Sequence, residues 1–92
     1  MTLSKKIIKM WEKEGWKYTK TETGFNFQIE FPFAEKFIRI ITVYFETEPR
    51  KYYYIDVRVT DKEKSGYAYE TLYVEPKEHM LIHNTLLDLK WI

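Results

Sequence analysis

The chain has 92 residues, no cysteine, and fifteen basic against fourteen acidic side chains, so it is the size of one small domain and carries a formal charge of only +1. The missing cysteines exclude disulfide staples and thiolate chemistry and fit a reducing compartment, while near-neutrality excludes a global field drawing the chain onto nucleic acid or an anionic membrane. An aromatic share of 18%, with three glycines and three prolines, excludes low complexity and disorder. No run approaches the roughly 18 uninterrupted apolar residues of a membrane span, and lysines interrupt the apolar pattern of the N-terminus where a signal peptide is continuous. A soluble, untargeted, cytoplasmic protein is the expectation.

Leu3, Ile7, Met10 and Trp11 recur at i, i+4, i+7 and i+8, with Thr2 or Ser4 before them as a cap and Gly15 after them as a stop. This is an amphipathic helix. Six lysines against two glutamates in residues 1–20 make its outer side basic; a solvated face accounts for them more simply than a membrane-bound one. Beyond Gly15 the period becomes two: Trp16 to Lys20 reads as a short strand, Thr21 to Gly24 as a hairpin turn, and Phe25, Phe27, Ile29 and Phe31 as the inward side of a return strand that Pro32 ends. Phe37 to Glu46 is apolar on both faces, as a central strand is. The Glu48-Pro49 turn leads into Arg50–Thr60, then comes the polar loop 61–66, and Tyr67–Val74 reads as a last strand. Pro76 opens a second helix with Glu78 in its first turn, and Ile82, Leu86 and Leu89 form an apolar seam that Met80, Leu87 and Trp91 broaden. The pattern predicts a single α+β domain over 1–92, an antiparallel β-meander of about five strands with an N-terminal and a C-terminal helix.

Arg50–Thr60 is the most informative run. Period two sends Tyr53, Ile55, Val57 and Val59 to one side, together with Phe37, Ile41, Val43 and Phe45. The other side collects Ile38, Ile40, Tyr44, Tyr52 and Tyr54, and the last strand adds Tyr67, Tyr69 and Tyr73. Six of the eight tyrosines thus share one predicted face, with Asp56 and Arg58 among them. Two readings stay open: a helix covers that face and the rings merely stabilise the sheet, or both helices pack on the apolar side and leave a tyrosine platform free. The free platform suits partner binding, since tyrosine offers area with little rotamer entropy to lose and a hydroxyl to hydrogen-bond. Tyr44, Tyr52, Tyr54, Arg58, Tyr67, Tyr69 and Tyr73 are the candidate partner-binding residues.

Other chemistry finds little support. His79 and His83 stand at i and i+4 of the second helix, but no third histidine or cysteine exists to complete a metal shell, so solvated histidines are the expectation and neither metal nor cofactor is predicted. Asp56 is the acid whose neighbours suggest a raised pKa, although Arg58 beside it offers a simple charge balance. Ser4 and Ser65 lie in no nucleophile elbow, and no catalytic residue is assigned. Single-stranded nucleic acid stacks on open aromatic sheets, but this face lacks the accompanying cations. The sequence therefore points to a non-catalytic protein-binding module (an inhibitor, adaptor or small chaperone of the kind phages and mobile elements encode), with nucleic acid binding and homodimerisation through the same face as alternatives.

Overall fold

The computed structural model describes residues 3–69 and 74–92, excluding the side chains of Phe33 and of 67–69. Helix α1 (Lys5–Lys13) begins where Ser4 accepts a hydrogen bond from the Ile7 amide and leaves the helical conformation. Helix α2 (Pro76–Asp88) begins with proline at its first position, where no amide donor is lost. Both helices end alike. Gly15 at φ +103° donates to the Glu12 carbonyl and Trp16 to that of Trp11; Lys90 at φ 60° donates to Leu87 and Trp91 to Leu86. These are paired Schellman closures, and each is followed by a tryptophan directed into the core, Trp16 onto α1 and Trp91 onto the sheet. Trp16 meets Trp11 edge-on at 4.8 Å, and Trp91 meets Phe45 at 5.3 Å.

Between the helices run β1 (Lys17–Lys20), β2 (Gly24–Ala34), β3 (Phe37–Glu46), β4 (Tyr52–Asp61) and the short β5 (Tyr67–Tyr69), neighbours in sequence order and antiparallel throughout. The α+β class and the antiparallel sheet agree with the sequence pattern. Strand β3 lies at the centre, as its two apolar faces require. Pro32 does not end β2, which continues to Ala34 past a register shift between Pro32 and Ala34. Strand β1 pairs with β2 only as far as Gln28, so the proline falls where β2 has one described neighbour and an irregular ladder, the setting that tolerates its missing donor.

Both helices pack on the same side of the sheet. Trp11 stacks on Phe27 at 4.3 Å, and Trp16, Phe25, Ile29, Ile41, Val43, Phe45, Ile82, Leu86 and Leu89 complete the buried cluster. The cover is not even. Met80 and Leu87 are exposed rather than part of the α2 seam, and Leu81 packs on the core instead. Phe37, expected inward, is exposed at the sheet end. Tyr53 and Ile55 belong by register to the helix side, yet they are 42% and 38% exposed because the buried cluster sits on β2 and β3 and leaves the first half of β4 outside it.

Candidate interaction face

With both helices on one side, no helix among the described residues covers the opposite face of the sheet. On it, Tyr44 and Tyr54 are direct cross-strand partners, and the register brings their rings into a parallel stack, centroids 4.6 Å apart and planes 11° from parallel. Tyr52, two residues earlier on β4, continues the stack at 6.1 Å from Tyr54, and the Arg50 guanidinium lies 5.8 Å from the Tyr52 ring centre. Tyr52 and Tyr54 are each 44% exposed. The four consecutive residues Tyr52–Ile55 therefore present large side chains to solvent on both faces of β4.

Partial loss of hydration, then the nearby Glu46 carboxylate and the phenols of Tyr44 and Tyr52, push the Tyr54 hydroxyl above the ordinary tyrosine range. It stays protonated through neutral pH and remains a donor to a partner.

Of the six tyrosines of the predicted platform, the described side chains are those of Tyr44, Tyr52 and Tyr54. Arg58 is half-buried, its Nε donating to Asp56 Oδ2 at 2.8 Å, so this pair forms the local charge balance expected for Asp56. Ile40 and Thr42 on the same face are buried, Ile40 lying between Glu30 and Arg58 in the register. Lys64 crosses from the β4–β5 loop to Glu30 at 2.9 Å, and Gln28 donates to Thr42 at 3.1 Å. The backbone of Tyr67 lies opposite Thr60 and that of Tyr69 opposite Arg58, while Tyr73 lies outside the described residues. Among the described side chains the open cluster comprises Tyr44, Tyr52 and Tyr54 with Arg50, joined around the strand by Tyr53 and Ile55. The sequence reading placed these last two in the core, although the run Tyr-Tyr-Tyr-Ile lacks the polar alternation of a half-buried strand.

His79 and His83 are both exposed, and among the described residues no three metal-ligating side chains converge. Glu78, which the sequence did not single out for this, has its pKa raised. Burial disfavours its charge more than Arg39, 3.5 Å away, favours it. A carboxyl raised on folding stabilises fully below its ordinary value of 4.5, and that contribution is lost as pH rises through the raised value. The stability difference between wild type and Glu78→Gln is accordingly expected to move against wild type as pH goes from 4 to 7, read from urea midpoints. Parallel curves would mean the carboxyl is not perturbed.

Among the described residues no helix is long and apolar enough to cross a membrane. No family model matches the chain, and neither a curated protein nor a solved structure matches it.

Proposed function

We propose that this domain is a non-catalytic protein-binding module of inhibitor, adaptor or small-chaperone type, working in the cytoplasm through the tyrosine cluster of β3 and β4. The observation that carries the reading is the Tyr44–Tyr54–Tyr52 stack, partly exposed on the helix-free face. Rings held in a ladder have little conformational freedom left to lose on binding, and Tyr53 with Ile55 extends the apolar area around the same strand. The charges bordering the stack are mixed, with Glu46 and Asp56 against Arg50 and Arg58. Such a border suits a protein rim better than a phosphate backbone, which rewards an excess of cations.

The test is affinity capture with and without nuclease, comparing wild type with Tyr54→Ala and with the Tyr52→Ala, Tyr54→Ala pair. The expected result is a nuclease-resistant protein whose binding weakens by about tenfold or more in Tyr54→Ala, the loss typical of a central aromatic anchor. Thermal stability of the variants should change little, since both rings are partly exposed. Nuclease-sensitive capture with steep salt dependence would transfer the face to single-stranded nucleic acid. A wild-type dimer that Tyr54→Ala converts to monomer would make the partner a second copy.

A further inference from the structure

On the helix side of the sheet, a cleft of about 350 Å³ opens between the end of α1, the start of α2 and the Pro32 end of β2 and β3. Its lining includes the apolar Trp16, Ile29, Phe31 and Leu81 and the polar Arg39 and Glu78. The volume falls at the lower end of small-molecule sites, and apolar walls with a few convergent polar groups are their usual chemistry.

The polar pair is only partly satisfied by its neighbours. The Arg39 side chain is 12% exposed and that of Glu78 7%, and they approach only to 3.5 Å, with Glu75 at 3.7 Å from the same guanidinium nitrogen. Arg39 also lies over the Phe31 ring, 5.6 Å from its centre. Among the described residues Arg39 Nε and Glu78 Oε2 are buried without a hydrogen-bond partner. Buried polar atoms are nearly always paired, and a cleft built for stability alone gains as much from aliphatic residues. The guanidinium is therefore largely buried against the Phe31 ring, with its Nε unpaired among the described residues.

The charges select the acceptor. Glu14, Glu75 and Glu78 line the cleft against Arg39 and Lys77, with Lys77 already 3.7 Å from Glu14. An anionic ligand meets the carboxylates as well as the guanidinium, whereas a neutral carbonyl oxygen accepts from Arg39 without that repulsion. Glu75, whose side chain is 60% exposed at the cleft, is placed to accept an N–H from the same ligand. We propose that this cleft is a binding site for a small uncharged aromatic amide, its ring among Trp16, Phe31 and Leu81, its carbonyl accepting from Arg39 and its N–H donating to Glu75.

The site is separate from the tyrosine cluster and is tested separately. Benzamide is titrated into the full chain at pH 7 and followed by the Trp16 indole N–H and the Ile29 and Leu81 methyl resonances, with benzoate and toluene as comparison probes. Saturable shifts confined to these groups are expected, with a dissociation constant of about 1 mM, the scale of a fragment. Benzoate and toluene are each expected at least about tenfold weaker, the separation that one charge-assisted hydrogen bond or one like-charge contact produces. Arg39→Met removes the donor and should abolish saturation; Leu81→Trp narrows the cleft from its partly exposed wall and should do the same if Arg39→Met does not fold. The proposal is overturned by absence of saturation in wild type, by equal binding of benzoate or toluene, or by benzamide binding that survives in a folded variant.

Discussion

Replacing Trp11 with alanine is expected to lower the unfolding free energy by about 3–5 kcal/mol, the range for deleting a large buried aromatic. Trp11 is fully buried, lies flat on Phe27, and meets Trp16 and Phe45 edge-on at 4.8 and 6.1 Å. Its indole N–H donates to the hydroxyl of Thr85, itself fully buried on α2. One side chain therefore ties α1 to the sheet and to α2. Alanine leaves a cavity among three rings and a threonine hydroxyl with no indole beside it. Small domains have only about 5–15 kcal/mol to lose, so the variant should melt far below wild type or not fold at all. Trp11→Phe separates the two contributions: it retains most of the ring volume and removes the hydrogen bond, with about 1–3 kcal/mol lost. Urea unfolding followed by far-ultraviolet circular dichroism measures both, and a Trp11→Ala loss under about 1 kcal/mol would contradict the central place given to this ring.

Gly24→Ala is expected to destabilise by about 2–3 kcal/mol, toward the upper end for overpacking. The residue opens β2 directly opposite Glu46, and its carbonyl accepts from Thr21 to close the hairpin turn. A Cβ there would overlap the Phe45 carbonyl oxygen and press on Glu46 Cα at 3.0 Å. Those are backbone atoms of the central strand, which cannot rotate away as a side chain does. The strands must part at this end, weakening the seating of Phe25 against Phe45, whose rings stack at 4.9 Å. Gly66→Ala is the matched control, because a Cβ there meets nothing within 4 Å. Equal melting temperatures for the two variants would show that β2 and β3 do not approach as closely as Gly24 requires.

The parts of the fold legible in the sequence are those governed by neighbours along the chain. The helix starts follow from the Thr2 or Ser4 cap, of which the fold uses Ser4, and from Pro76, the stop of α1 from Gly15, and the two-residue period from the steric alternation of an extended backbone. Lys90 ends α2 in the left-handed region without being glycine, so its Schellman closure left no comparable signal. The passage of β2 through Pro32 was equally hidden, since a proline is tolerated or not according to whether a second strand flanks it.

The candidate face divides in the same way. That Tyr44, Tyr52 and Tyr54 share one side of the sheet followed from parity alone, once the strands were placed. Whether that side was open depended on where both helices docked, and only tertiary packing decides this. The same packing stopped short of Tyr53 and Ile55, which parity assigned to the core, and buried Ile40 on the side assigned to solvent. Arg39 and Glu78 lie on a strand and a helix distant in sequence, and only the fold brings them into one cleft. By itself, then, the sequence determined the α+β class, the order of helix, antiparallel sheet and helix, and the two faces of β3 and β4, because these depend on local sterics and period. The three-dimensional fold alone decided which face is free and which charges are buried, because exposure depends on how far each layer extends over the next.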